Sequence, residues 1–163
     1  SAASDVYKRQ PIYNFGTNQN NWSLGASRVT LKYSEKTTVI WKLDTDQYSR
    51  FIADGYAPNT DAVAHNFITR DGYQDILQSP TVVVIQGPLY NDEATTLPSV
   101  LTVGVGPVTI FHEGKYIEGT WRRNDISDSF DFLDSDQNKI EVPPSKQWIH
   151  ILPLNGEITI SDN

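Results

Sequence analysis

Residues 108–111 (VTIF) and 115–121 (KYIEGTW) are two short runs rich in apolar residues, separated only by His112, Glu113 and Gly114. Val108, Ile110, Tyr116 and Ile117 are β-branched or aromatic, types that pack well on a pleated, half-buried surface. A short polar loop containing Gly between two such runs predicts a β-hairpin. Gly104, Gly106 and Gly119 within the pattern predict bulges, or places where another backbone comes close. A lone hairpin is barely stable in water and needs further strands to cover its apolar face. The hairpin is therefore expected at the centre of a β-rich domain.

The rest of the chain offers those strands. Residues 28–33 (RVTLKY) alternate, with Val29, Leu31 and Tyr33 on one face and Arg28, Thr30 and Lys32 on the other. In residues 38–43 (TVIWKL), Val39, Trp41 and Leu43 share a face, and the polar turn before them predicts an antiparallel pair. Residues 47–53 place Tyr48, Arg50 and Ile52 opposite Ser49, Phe51 and Ala53. The continuous run TVVVIQ at 81–86 predicts a strand buried on both faces. Residues 130–133, 139–142 and 147–152 read as further strands, and 157–160 as an edge. Residues 11–26, 54–66 and 87–97 read as loops, with Tyr13, Phe15 and Trp22 packing onto the domain. The only mildly helical stretch is 67–78, where a short turn or helix is expected near 72–77. Roughly nine or ten short strands with little helix predict a mainly β fold, an antiparallel sandwich or partly open barrel.

With 163 residues the chain suits one domain, and a domain of this size buries roughly 70% of its unfolded surface without disulfide or metal. It has no Cys, which excludes thiolate metal sites and a cysteine nucleophile. A net charge of −7 and a pI near 4.8 argue against nucleic acid and against electrostatic docking on anionic lipid. The chain also has no Met, so a piece of something longer, or a processed form, is expected. No run approaches the ~18 apolar residues of a membrane helix, and any targeting or anchoring signal is expected upstream. Residues 1–10 carry no pattern and are expected to be a disordered or artefactual leader; residues 11–160 are expected to form a single domain.

Three segments together resemble a known family. They are GPVTIFHEGKYIEGTWRR at 106–123, FDFLDSDQNKIEV at 130–142 and QWIHILP at 147–153. They look like the closing half of the YerB-like bacterial lipoproteins, a domain of unknown function. That half carries a Gly-led apolar run, an acidic-Gly-Lys turn, Gly-Thr-Trp before a basic residue, and a terminal Trp-Ile strand. Glu113-Gly114-Lys115, Gly119-Thr120-Trp121-Arg122 and Gln147-Trp148-Ile149 match these pieces. Tyr48-Ser49-Arg50 and Asp61 match the family's Tyr-x-Arg…Asp segment, and the resemblance covers about 11–157. Asn138 stands where the family usually has Gly, and Pro144-Ser145 where it has Pro-Gly; Asn also visits the left-handed region. The resemblance implies an extracytoplasmic envelope protein, lipid-anchored when complete, with no established activity. Its implied partners are its own N-terminal domain and a protein or cell-wall ligand, with the membrane reached only through an upstream lipid anchor.

His65, His112 and His150 lack the short spacing of a zinc site. Asp134, Asp136, Asn138 and Glu141 suggest a calcium loop, but Lys139 and Ser145 occupy its obligatory Gly and Glu positions. A turn held by Asx side chains is expected there instead. No G-x-S-x-G elbow occurs. Trp22, Trp41, Trp121 and Trp148 read first as core or rim, and second as a face for stacking sugar or peptide. Arg50 shares its face with Tyr48 and Ile52, and a partly buried Arg needs a carboxylate. Asp61 is the expected partner, in an internal ion pair or beside a ligand. The candidate binding residues are therefore Tyr48, Arg50, Asp61 and Trp121, with no catalytic residue, metal or cofactor expected. The expected function is that of a non-catalytic envelope module binding a protein or cell-wall partner, or bracing its N-terminal domain. The alternative is part of an enzyme acting on cell-wall polymer, its site at the junction with that domain.

Overall fold

The computed structural model describes residues 13–54, 63–91, 93–94 and 98–162; residues 1–10 and Asp61 lie outside these. Among the described residues the strands run β1 (Ser23–Leu24), β2 (Arg28–Lys32), β3 (Thr37–Asp44), β4 (Gln47–Asp54), β5 (Val63–Ala64), β6 (Asn66–Ile68), β7 (Gln74–Ile76) and β8 (Gln78–Ser79). They continue with β9 (Thr81–Gly87), β10 (Leu89–Asn91), β11 (Pro98–Val100), β12 (Gly104–His112), β13 (Lys115–Arg123), β14 (Asp131–Leu133), β15 (Gln147–Pro153) and β16 (Glu157–Ser161). One sheet has the order β1-β13-β12-β9-β15, with β14 also on β13; the other has the order β16-β2-β3-β4-β5, with β8 on β4. The two pack face to face as a mainly β sandwich, and neither closes into a barrel.

The central hairpin is β12–β13. Its register is unbroken from Gly104–Arg123 to His112–Lys115, so it holds no bulge. Glu113 and Gly114 form the two-residue tip at φ 49° and 79°, and two successive left-handed residues give the turn whose twist matches a hairpin. Gly106 and Gly119 mark close approach instead: a Cβ on Gly106 would overlap the Gln86 carbonyl and the Trp121 indole, and one on Gly119 the Leu133 carbonyl. Gly119→Ala is expected to cost about 1–3 kcal/mol, because backbone rather than a mobile side chain fills the space. A thermal melt unchanged from the parent would contradict that.

Strand β9 is buried on both faces, as its composition predicts. Val82 and Val84 join Val29, Leu31, Val39, Trp41, Tyr48, Phe111 and Leu152 in the core between the sheets. Val83 and Ile85 point the other way, into a second core with Ile110, Trp121, Phe130, Phe132, Ile140, Val142 and Tyr13. That second core is roofed by irregular chain rather than by a third sheet.

Several sequence expectations change. Residues 66–76 form the hairpin β6–β7 and not a helix; Gly72, at φ 85°, makes its turn. Within the segment 87–97, expected as a loop, residues 89–91 form β10, which pairs with β11 just beyond it. Residues 139–142 make only isolated bridges. β15 lies parallel to β9, an exception to the antiparallel pattern. Tyr13 packs as expected, but Phe15 is 46% exposed. At the 134–138 turn the left-handed residue is Gln137, at φ 66°, not Asn138.

Candidate functional site

A cluster of polar and aromatic side chains lies where β15 faces the second sheet. Trp41 and Arg50 are cross-strand partners on β3 and β4. Trp148 and His150 project from β15 on the side of Leu152, towards the core between the sheets. Tyr33 follows β2 on the same face as Val29 and Leu31. His65 is brought in by backbone pairing: its N–H donates to the Arg50 carbonyl at 2.9 Å.

His150 is 3% exposed. The Trp41 indole N–H donates to its Nε2 at 2.7 Å, and its Nδ1 meets the Tyr33 hydroxyl. Burial, and secondly the Arg50 charge, push its pKa down to about 3. The imidazole is therefore neutral, and its tautomer follows. Indole can only donate, so Nε2 accepts and the ring hydrogen sits on Nδ1. Nδ1–H then donates to the Tyr33 oxygen, leaving the Tyr33 hydrogen for another acceptor. Burial raises the Tyr33 pKa to about 12 against the lowering effect of Arg50, so the hydroxyl keeps that hydrogen.

Arg50 is half-buried. Its guanidinium carbon lies 5.0 Å from the Trp148 ring centroid and 5.9 Å from that of Trp41, within cation–π range. Burial lowers its pKa, but a guanidinium remains charged. Its Nη1 donates to His65 Nδ1 at 2.5 Å. Because Arg only donates, His65 carries its hydrogen on Nε2. Arg50 Nε is buried without a hydrogen-bond partner among the described residues. The anticipated Arg50–Asp61 contact falls outside those residues.

The other anticipated residues are engaged within the fold. Tyr48 is fully buried; its hydroxyl donates to the Ala26 carbonyl at 2.7 Å and accepts from Gly114 N–H at 3.0 Å, bolting the central hairpin tip to the second sheet. Trp121 is also fully buried, and its indole N–H donates to the Gln86 carbonyl at 2.7 Å. It has no surface on which to stack a ligand. Asp134 Oδ1 accepts from Asp136 and Asn138 N–H, both at 2.9 Å, so its carboxylate closes the expected Asx turn. His112 meets Thr81 Oγ1 at 2.8 Å, and burial lowers its pKa. The described residues hold no group of three or more His, Asp or Glu placed to bind a metal.

Sequence reasoning singled out Arg50 but not Tyr33, Trp41, His65 or His150 as its neighbours. The alternation at 28–33 and 38–43 puts Tyr33 and Trp41 on inward faces. Nothing local reveals that β15 meets them more than a hundred residues later.

The family model described as the C-terminal domain of a protein of unknown function (DUF3048) matches residues 29–149. The chain belongs to this family. Its fold is similar to that of the crystal structure of YerB from Bacillus subtilis, with a TM-score of 0.64 at 16% identity. That similarity covers 97% of this chain and 51% of YerB, so the chain spans about half the length of that protein. No curated protein matches the chain. In the DUF3048 C-terminal match, the Arg50 cluster is bracketed from Tyr33 to Trp148, and His150 lies one residue beyond its end.

Proposed function

We propose that this domain is a non-catalytic, extracytoplasmic module of a bacterial envelope lipoprotein, which binds a protein or cell-wall partner or braces its own N-terminal domain. The observation that carries the non-catalytic reading is the state of His150. Both ring nitrogens are engaged and the ring is neutral, so it has neither a lone pair nor a loosely held proton for general acid–base work. Arg50 and His65 likewise hold one another rather than a nucleophile. The cluster is suited to holding a partner in place. The envelope location, the lipid anchor and the N-terminal partner come from the family resemblance, and the match to about half of YerB is consistent with a neighbouring domain.

The test starts from the full-length gene. A lipobox and a second domain are expected upstream of Pro11, and the two domains expressed as separate chains are expected to co-purify or to be retained together on peptidoglycan. Release of soluble fragments from peptidoglycan by the full-length protein, lost in Arg50→Gln, would replace this reading with the enzymatic one. A full-length protein that remains in the cytoplasm would also defeat it.

A further inference from the structure

The hydrogen positions just assigned make the Arg50 cluster one-sided in its chemistry. Tyr33 Oη accepts from His150 and has its own hydrogen to give. His65 accepts at Nδ1 and offers Nε2–H. Arg50 contributes a guanidinium with an unpartnered Nε among the described residues. The hydrogen-bonding capacity that the three have left is donation. Tyr33 and His65 are both part-exposed, and so is Trp148, whose ring lies against Arg50. The positive charge is felt at Tyr33 and His150, and no carboxylate among the described residues forms an ion pair with it.

A cation ringed by donors and walled by indole matches an anion attached to an apolar or planar body. We propose that Arg50, Tyr33 and His65 form a binding site for a carboxylate-ended ligand, such as a peptide with a free C-terminus. A monoanion fits better than phosphate because the chain carries a net charge of −7, which opposes a dianion. A guanidinium pairs with a carboxylate through parallel, charge-assisted hydrogen bonds, and the part-exposed Trp148 ring lies beside the guanidinium. This deepens the partner-binding reading and rests on it, by naming the chemical end of the partner that is gripped.

The experiment titrates the purified domain with an N-acetylated tripeptide bearing a free C-terminal carboxylate, with its C-terminal amide, and with inorganic phosphate. Tryptophan fluorescence and the His side-chain NMR resonances report binding. The acid is expected to bind and to shift the His65 signal, with the amide and phosphate weaker by roughly tenfold or more. Tyr33→Phe, which leaves the ring in place, is expected to weaken the acid several-fold, and Arg50→Lys more strongly. Equal binding of acid and amide would overturn the site, and so would tighter binding of phosphate. Asp61→Asn separates the remaining source of a carboxylate: if only that variant binds the acid, the chain supplies the anion itself and the proposal fails. Failure here, with the separately expressed domains still co-purifying, would remove the carboxylate site and leave the partner-binding reading intact.

Discussion

Trp121→Ala is expected to lower the free energy of unfolding by about 3–5 kcal/mol, the range for removing a large aromatic side chain from a packed core. The indole is fully buried and stands edge-on to Phe130, with ring centroids 5.8 Å apart. Its N–H satisfies the Gln86 carbonyl on β9, and the absence of a side chain on Gly106 leaves it room. The truncation thus opens a cavity and orphans an acceptor in one step. Trp121→Phe retains most of the ring but still orphans the carbonyl, and is expected to cost roughly 1–3 kcal/mol. Urea titration followed by circular dichroism measures both. A midpoint unmoved in Trp121→Ala would place the indole on the surface and restore the ligand-stacking role.

The second large effect is loss of stability on acidification. In the unfolded chain His150 titrates near its ordinary value of 6.5, whereas in the folded protein burial and Arg50 hold it at about 3. Between those values the unfolded state binds the proton and the native state does not. The native state is therefore fully favoured above pH 6.5 and loses ground as the pH falls towards 3, on the order of 1.4 kcal/mol per pH unit from this one group. His112, whose pKa burial also lowers, adds a contribution of the same sign. A His112→Asn background isolates the larger effect. Against it, His150→Gln is expected to start less stable near neutrality and to flatten the pH dependence in that window. Parallel curves for the two proteins would show that His150 titrates normally in the fold.

The sequence made the fold legible where one face of a strand is apolar and the turn is short. The alternation at 28–33 and 38–43, the buried run at 81–86 and the Glu113-Gly114 turn each carry their own local signal, and each stands in the structure as read. It was less informative where pairing is decided at a distance. Residues 66–76 lack strong alternation, yet they pair because backbone bonds from His65 and Leu77 fasten their ends beside Arg50. The parallel placement of β15 depends on β9 having a free side, which composition does not reveal. The candidate site follows the same division. Arg50 stood out because a charge appeared on an apolar face, but Tyr33, His65 and His150 became its companions only once both sheets were assembled.

The last two strands have a consequence for how the molecule is made. β15 is an edge of one sheet and β16 an edge of the other, joined by only the short turn at 154–156. On the ribosome, then, one layer is incomplete until residues up to 153 have emerged, and the other until residues up to 161 have. The β9 flank that awaits β15 stays open through the whole interval of synthesis between them, and contacts so far apart in sequence form slowly. An uncovered flank of this kind recruits other strands, so nascent chains stalled short of position 147 are the species most prone to aggregate.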